Sequence, residues 1–321
     1  MNTGLYNPFK HFDFLYKKCF LSGNTFNSPI TQVPLLPTWL LQQAGLTGEE
    51  QIQFLDESIR SYNTLVIPLN NEVNEQFLNP LEEKIERAFD KGFDAVSAMP
   101  ELDLFNWIGK FLYGFIYIEM HAALRKEMTA DGLNMSQSLM MKFANLNFMM
   151  QNLYTSIEFE DFTPWSIVVV ELADEKTPFS FRDEINTLTF SLKMKNFGII
   201  ACLQDNGTNK RYHGEILNEI KGKKLTAEQF EELTARFYYS AYLFNRLPEY
   251  TFMPVEGTTY IEAMPLRGNI SKPLFDVWQH KIYAQVLENF WKPWGYVKFE
   301  IIKDPNNPMS FFEKPCLPIA G

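Results

Sequence analysis

Residues 188–204, with the sequence LTFSLKMKNFGIIACLQ, decide the fold class of this chain. Between Leu188 and Lys195 apolar and polar side chains alternate, which is the period of a half-buried strand. Asn196-Phe197-Gly198 predicts a turn, and the apolar run at 199–204 predicts a buried partner strand. Because a short turn joins antiparallel strands, the stretch predicts an antiparallel sheet in the C-terminal half.

The segments around this strand pair predict the rest of the C-terminal half. Thr226-Ala227-Glu228-Gln229 is a capping box, so we expect a helix to begin there and to end before Pro248. The polar stretch 205–213 is interpreted as a plain connection between strands, because Asn206-Gly207 is a turn dipeptide. Further strands are expected at 165–172, 258–264 and 294–302, and a further helix at 273–290.

The N-terminal half is predicted to be loop-rich and then helical. Prolines at 29, 34 and 37 predict an irregular segment, because proline restricts its own φ angle and the residue before it. Asn79-Pro80-Leu81-Glu82 has the pattern of a helix start, with Asn79 as N-cap, and Gly92 is expected to end that helix. Later helices are expected over 100–132 and from Asn134 to 150. Together with the C-terminal strands, these helices predict an α+β fold class.

The composition excludes several classes of protein. Of the 321 residues 46% are hydrophobic, enough for a large core, and the net charge of −10 disfavours nucleic acid and anionic membranes as partners. Cys19, Cys202 and Cys316 are far apart, which argues against a disulfide framework. The chain begins with no signal-peptide pattern, and the apolar run at 111–118 is shorter than the ~20 residues of a membrane span. We therefore expect a soluble, cytoplasmic protein.

Four short motifs follow one another between residues 19 and 82: CFLSG at 19–23, PLLPTWL at 34–40, IPLNNEVN at 67–74 and LNPLE at 78–82. In order and spacing they resemble a branch of the HNH endonucleases, which reads C-x-x-C-G, E-H-x-x-P-x-W-L, P-x-C-x-x-C-N and L-S-x-L-E. The resemblance covers residues 15–120, about a third of the chain. The matching landmarks are Gly23, Pro37, Trp39, Leu40, Pro68, Asn74, Leu78, Leu81 and Glu82.

The resemblance implies a treble-clef finger whose zinc ligands are lost. Of the positions that hold zinc in the family, only Cys19 is still a ligand, and the others correspond to Ser22, Asn70 and Val73. Zinc needs a closed set of cysteine, histidine or carboxylate ligands, which a thiol, a hydroxyl, an amide and a valine do not provide. We therefore expect neither a metal nor any other cofactor.

The family's catalytic residues are also replaced. The histidine that activates water in the family corresponds to Pro34, and the acidic residue before it corresponds to Val33. Neither side chain titrates, so neither can act as a general base. Asn74 is retained, but an asparagine alone cannot carry out hydrolysis. The alternative interpretation is an ordinary loop and helix in which Cys19 is a small buried apolar residue.

Other residues could carry function in the C-terminal half. Asp183, Asp205, Asn206, Lys210 and His213 could form the rim of a ligand site, because loops held by rigid elements often bind ligands. This alternative, an enzyme or a small-ligand-binding protein, predicts a pocket on which these side chains converge. A residual DNA-binding module is a third interpretation, and it would need the sparse basic residues Lys10, Lys17, Lys18, Arg60, Lys84 and Arg87 to form one face.

The preferred interpretation is a non-catalytic protein with an interaction or structural role. Residues 1–155 would contain the degenerate finger and a helical block, and residues 156–321 an α+β region, with a soft boundary between them. The binding partner could be another protein or a second copy of the chain.

Overall fold

The computed structural model describes residues 5–24, 31–54, 57–126, 135–174, 177–266, 272–304, 308–312 and 317–318. The chain divides into two compact units. Unit 1 contains residues 1–90, 99–162 and 249–264, and unit 2 contains residues 91–98, 163–248 and 265–321. Each unit is therefore built from segments that are separated in the sequence.

Helices and strands both contribute, so the predicted α+β class is confirmed. The helices are α1 Thr38–Gln43, α2 Asn71–Val73, α3 Asn79–Lys91, α4 Phe93–Ser97, α5 Glu101–Arg125, α6 Gln137–Met150, α7 Thr208–Tyr212, α8 Gly214–Ile220, α9 Ala227–Leu243, α10 His280–Trp291 and α11 Lys298–Ile301. The strands are β1 Thr31–Pro34, β2 Gln51–Gln53, β3 Ile59–Ser61, β4 Val66–Leu69, β5 Ser156–Glu160, β6 Trp165–Glu171, β7 Thr177–Glu184, β8 Thr189–Lys195, β9 Phe197–Leu203, β10 Lys223–Lys224, β11 Tyr250–Val255, β12 Thr258–Ala263 and β13 Leu317–Pro318.

The main sheet of unit 2 is antiparallel with the strand order β6-β9-β8-β7. The predicted pair is its centre, because β8 and β9 pair from Thr189 with Cys202 to Met194 with Phe197. The pairing ends at Met194 and Phe197, so the chain turns at Lys195 and Asn196, one residue earlier than predicted, with φ of 51° at Lys195. The alternation at 188–195 and the apolar run that follows it thus predicted the strands correctly.

Helix α9 packs on this sheet and joins it to the rest of unit 2. Its Thr226 cap accepts a hydrogen bond from the Gln229 amide, and the Gln229 side chain accepts one from the Thr226 amide, as the capping box predicts. The apolar core on one side of α9 includes Val168, Ile200 and Phe237. On its other side α9 contacts α10, where the buried side chains are Tyr239, Leu243, Tyr283, Ala284, Leu287, Phe290 and Trp291.

Three predictions for unit 2 are wrong. Residues 205–213 contain helix α7 instead of a plain connection, because the Asp205 carboxylate accepts the backbone amides of Gly207 and Asn209 and so begins a helical turn. Residues 273–279 are not helical, since Asp276 and Leu274 form backbone hydrogen bonds with residues 243 and 245.

The third wrong prediction is the strand at 294–302, where the structure has helical turns. Gly295 takes a left-handed conformation with φ of 78°, which interrupts an extended chain. The Glu300 carboxylate then accepts the Val297 amide at 3.3 Å and caps α11. These local interactions therefore favour helical turns over the predicted strand.

In unit 1 the start of one helix was predicted incorrectly. This helix runs from residue 71 to residue 91, whereas the prediction began it at Asn79. Asn70, not Asn79, is its N-cap, because the Asn70 side chain accepts the Glu72 amide at 2.8 Å. The helix continues through a π-helical turn at Asn74–Leu78 into α3. The Asn79 amide bonds to the Asn74 carbonyl five residues earlier, and Pro80, which has no amide hydrogen to donate, follows directly after this wider turn.

Helices α5 and α6 form the centre of unit 1. Ser136 caps α6 through the Leu139 amide. The expected end of α5 at 132 and the expected cap Asn134 lie outside the described residues. Within the described ranges no helix is sufficiently long and apolar to span a bilayer. The small sheets of unit 1 are the antiparallel pairs β1–β4 and β2–β3 and the sheet β11-β12-β5, in which β12 and β5 are parallel.

Candidate functional site

The segment at Cys19 forms a tight turn in unit 1. The Ser22 amide points at the Cys19 Sγ at 3.5 Å, and the Gly23 amide donates to the Cys19 carbonyl at 2.9 Å. Gly23 has φ of 67°, and a Cβ there would meet the Tyr6 ring at 2.1 Å. A glycine is therefore required at this position, and the Cys19 side chain is fully buried.

This turn lies against the strand that leads to Asn70. The Phe20 amide donates to the Pro68 carbonyl at 2.8 Å, and Pro68 belongs to β4. Strand β4 pairs with β1, and the helix that follows begins at the Asn70 cap with Val73 buried in its first turn. The finger positions Cys19 and Ser22 are thus on one turn, and Asn70 and Val73 are on the helix start next to it.

Asn74 is placed differently from the other finger residues. It begins the π-helical turn, and its Oδ1 atom is buried without a hydrogen-bond partner in the described structure. Among the described residues, no group of three or more His, Cys, Asp or Glu side chains converges as a metal site would require. The finger segment therefore presents one thiol, one hydroxyl and two amides, a poor donor set for zinc.

Two landmarks of the finger motifs, Trp39 and Glu82, contact each other through a hydrogen bond, and Glu82 also forms an ion pair with a buried lysine. The Trp39 Nε1 donates to Glu82 Oε2 at 3.2 Å, and the Trp107 Nε1 donates to the same oxygen at 3.3 Å. Lys110, which is 1% exposed, forms a salt bridge with Glu82 Oε1. Glu82 thereby connects α1, α3 and α5, and its charge is balanced by Lys110.

The loop residues proposed for a ligand rim in unit 2 have mostly structural positions. Asp205 is buried and accepts hydrogen bonds from Ser166 Oγ at 2.6 Å and from the Asn209 amide at 2.8 Å. Burial raises the pKa of Asp205, and these donors oppose the rise. The Asn206 carbonyl accepts a hydrogen bond from Arg211, and the exposed Lys210 bonds through its amide to Ser166.

Asp183 lies apart from these residues, on the outer strand β7. It is half-buried and pairs across the ladder with Phe190. Burial, with a smaller contribution from the charge of Glu184, raises the pKa of Asp183 to about 6. Asp183 does not line the cavity described below.

His213 is the one predicted rim residue that lines a cavity. Its Nε2 lies 2.9 Å from Ser240 Oγ and 3.2 Å from the Arg236 carbonyl. Burial, together with the charge of Arg236, lowers the pKa of His213 to about 4, so the ring is neutral at neutral pH. Ser240 Oγ also contacts Asn209 Oδ1 at 2.6 Å, and Ser240 is fully buried.

The cavity has a volume of about 600 Å³ and belongs to unit 2. Its aromatic walls are Tyr212, Trp278, Tyr283 and Phe312. The Trp278 ring packs on Tyr283 with 4.7 Å between the ring centroids, and the Trp278 and Tyr212 rings are 6.4 Å apart and 24° from parallel. Its polar lining residues are His213, Glu215, Glu219, Arg236, His280 and Ser310.

Arg236 is held in the cavity wall by a buried carboxylate. Its Nη2 lies 2.8 Å from Glu232 Oε1, and the fully buried Glu232 also accepts Ser310 Oγ at 2.7 Å and the Phe311 amide at 2.6 Å. Although burial acts against it, the neighbouring Tyr283, Glu232 and Glu219 raise the pKa of Arg236. The guanidinium is therefore a fixed, paired charge.

Tyr283 carries an unsatisfied polar atom in the same wall. The side chain is 4% exposed, and its hydroxyl is buried with no hydrogen-bond partner in the described part of the chain. Burial raises the pKa of Tyr283, so the hydroxyl keeps its proton. A buried hydroxyl without a partner is costly unless a ligand or water supplies one.

The sequence interpretation missed most of this cavity. Arg236 and Glu232 are four residues apart on α9, a spacing that predicts a pair on one helix face. Trp278 and Ser310 lie in irregular segments, where no periodic signal indicates that they meet His213. The site is assembled from α7, α8, α9, α10 and two such segments, and only tertiary packing brings them together.

No protein-family model matches this chain, and neither a curated protein nor a solved structure is significantly similar to it.

Proposed function

We propose that this chain is a non-catalytic interaction protein whose N-terminal unit descends from an HNH-type nuclease. The order of its elements supports this: the turn at Cys19, strand β1, its partner strand β4 and the helix capped by Asn70 come in the order of a treble-clef finger, with α1, β2 and β3 inserted between β1 and β4. The observation that carries the proposal is the Phe20–Pro68 hydrogen bond, because it joins the two segments that bear the ligands in such a finger.

Packing and buried polar contacts take over the role of the metal in this proposal. Structural zinc contributes about 10–16 kcal/mol to a small finger, so a finger without it needs another source of stability. Cys19 and Val73, at two of the ligand positions, are both buried and so add apolar surface to the core. The contacts of Trp39, Trp107 and Lys110 with Glu82 fix the helix against its neighbours.

The replaced catalytic positions support a role without hydrolysis. Pro34 stands on β1 opposite Val66, where the family would carry its general base, and Val33 precedes it. Cys19 and Cys202 are buried thiols that form no disulfide within the described part of the chain, which is compatible with a reducing compartment, so we include a cytoplasmic location in the proposal. A protein partner or a second copy of the chain would be its binding partner.

The metal content of the purified protein tests this proposal. Protein produced in zinc-supplemented medium is expected to contain no stoichiometric zinc, and a chelator is expected to leave its melting temperature unchanged, because the finger segment offers only one good ligand. Elemental analysis and thermal unfolding are the measurements. One zinc ion per chain, or a melting temperature that falls with chelator, would contradict the proposal.

A second candidate function is small-ligand binding by the cavity of unit 2. Its volume of about 600 Å³ is typical of ligand pockets, which range over about 300–1,000 Å³. The hydroxyl of Tyr283, a residue of its wall, has no hydrogen-bond partner among the described residues, which favours a ligand that supplies one. The cavity thus gives the C-terminal half a role that the finger does not explain.

The geometry around His213 favours binding over catalysis. A histidine next to a serine hydroxyl is a feature of nucleophilic catalysis, but such a hydroxyl must reach the substrate. Ser240 is fully buried, and its Oγ is held by Asn209 and by the Phe237 carbonyl. The pair therefore supports the cavity wall.

Ligand-observed NMR with benzyl alcohol as a neutral aromatic probe tests for a binding cavity. We expect saturable binding that is lost in Trp278→Ala, because this change removes an aromatic wall. Trp294→Ala is the matched control, since Trp294 is also half-buried in unit 2 but does not line the cavity. Equal loss in both variants would show that binding does not involve the cavity.

A further inference from the structure

We infer that the cavity of unit 2 binds a small organic ammonium ion with an apolar body; this inference rests on the ligand-binding role proposed for that cavity. Glu215 and Glu219 lie on α8 and line the cavity with exposed carboxylates. They are placed one helical turn apart, so both face the same side of the helix. Together they make this side of the cavity attractive to a cation.

The basic residue of the cavity does not cancel this preference. The Arg236 guanidinium is paired with the fully buried Glu232 and also interacts with the charge of Glu219. With Glu215, three carboxylates stand against this one guanidinium, so the negative charge still prevails. An anionic ligand would have to compete with Glu232 for Arg236 and would lie beside Glu215 and Glu219. A cationic ligand needs no rearrangement of the pair and gains from both exposed carboxylates.

The aromatic walls already accommodate a positive charge. The Arg236 guanidinium carbon lies 5.7 Å from the centre of the Tyr283 ring and 5.9 Å from the centre of the Phe312 ring. Such distances are typical of cation–π contacts, in which the ring face attracts a cation. Trp278 and Tyr212 offer further ring faces in the same cavity, and tryptophan is the strongest of these partners.

The hydroxyl of Tyr283 supplies an independent argument for a ligand. Its oxygen is buried and has no hydrogen-bond partner among the described residues, and a small shift of the ring toward the cavity would let it accept a hydrogen bond from an ammonium N–H. The same wall has apolar surface from Ile216 and Met309 that would receive the body of the ligand. A free inorganic ion fits this lining less well, because it would leave the apolar surface uncovered.

The charge preference is tested with three probes that share one ring: benzylamine, benzyl alcohol and benzoate. Isothermal titration and ligand-observed NMR at low salt are the measurements. We expect the ammonium probe to bind at least about tenfold more tightly than the neutral probe and benzoate to bind most weakly. The variant Glu215→Gln/Glu219→Gln should lower the affinity for the ammonium probe about tenfold and leave the affinity for benzyl alcohol unchanged.

The matched control is Glu75→Gln/Glu83→Gln, which removes the same charge from exposed positions in unit 1. It should retain wild-type affinity for all three probes. If benzoate or benzyl alcohol binds more tightly than benzylamine, the ligand is not a cation, although the cavity still binds ligands. Equal effects of the two double variants on benzylamine affinity would lead to the same conclusion. Failure of every probe to bind at millimolar concentrations would overturn the binding role itself. Circular dichroism of each variant confirms that it is folded.

Discussion

At the scale of single residues, His213 illustrates how burial changes what a side chain can do. In the unfolded chain its imidazole titrates with the ordinary pKa of 6.5, whereas in the folded chain burial lowers the pKa to about 4. Between these values the unfolded state binds a proton that the folded state does not. The contribution of His213 to stability is therefore complete above pH 6.5 and is lost as the pH falls toward 4.

This linkage predicts the pH dependence of stability. Between about pH 7 and pH 4 the free energy of unfolding should fall by about 2–3 kcal/mol more in the wild type than in His213→Asn, because the variant has no imidazole to protonate. Urea unfolding at several pH values is the measurement. Leu233→Ala, which destabilises the same unit but retains His213, should keep the wild-type slope. Parallel curves for the wild type and His213→Asn would contradict the buried neutral imidazole.

The residues of the site were only partly predictable from the sequence. His213 was singled out with Asp205, and the structure links them through Asn209 and Ser240 in one buried network. The sequence could not show that this network faces inward, because burial depends on distant segments. Glu82 was noted as a helix-start residue, but its ion pair with Lys110 required the placement of α5 against α3.

At the scale of elements, the strongest local signals gave the correct result. The alternation in β8 and the capping box of α9 are short-range patterns, and both elements form where they were predicted. The helix start at Asn79 was misplaced because the π-helical turn at Asn74–Leu78 carries the helix through a sequence that has the pattern of a first turn. Asn70 and Asn79 both have the pattern of an N-cap, and local sequence alone does not decide which of them begins the helix.

The contact between α9 and the sheet predicts a strong effect of one small substitution. Gly198 on β9 faces Phe230 of α9, and a Cβ at Gly198 would lie 2.2 Å from the Phe230 ring. Gly198→Ala should therefore lower the free energy of unfolding by about 1–3 kcal/mol, because the ring must move within a packed core. Gly214→Ala is the control, since a Cβ there meets nothing within 4 Å. Urea unfolding measures both, and equal stability of the two variants would contradict the close packing.

At the scale of the whole molecule, the two units have different proposed roles. Unit 1 contains the turn at Cys19, the strand pair β1–β4 and the helix that Asn70 caps, and unit 2 contains the cavity. The fold class followed from patterns along the sequence, whereas the cavity did not, because its walls come from residues between 212 and 312 that meet only after folding. The finger could be proposed from the sequence because its motifs are short and occur in a fixed order along the chain.

The central claim is that the finger segment keeps the shape of a zinc site after losing its ligands, and restoring those ligands tests it most directly. The variant Ser22→Cys/Asn70→Cys/Val73→Cys, with the natural Cys19, would present four thiols. Cobalt titration monitored by absorption, with zinc competition, is the measurement, and Glu72→Cys in place of Val73→Cys is the control. We expect one tetrahedral metal ion per chain and a higher melting temperature in the restored variant only. Binding no tighter than in the control would contradict the claim.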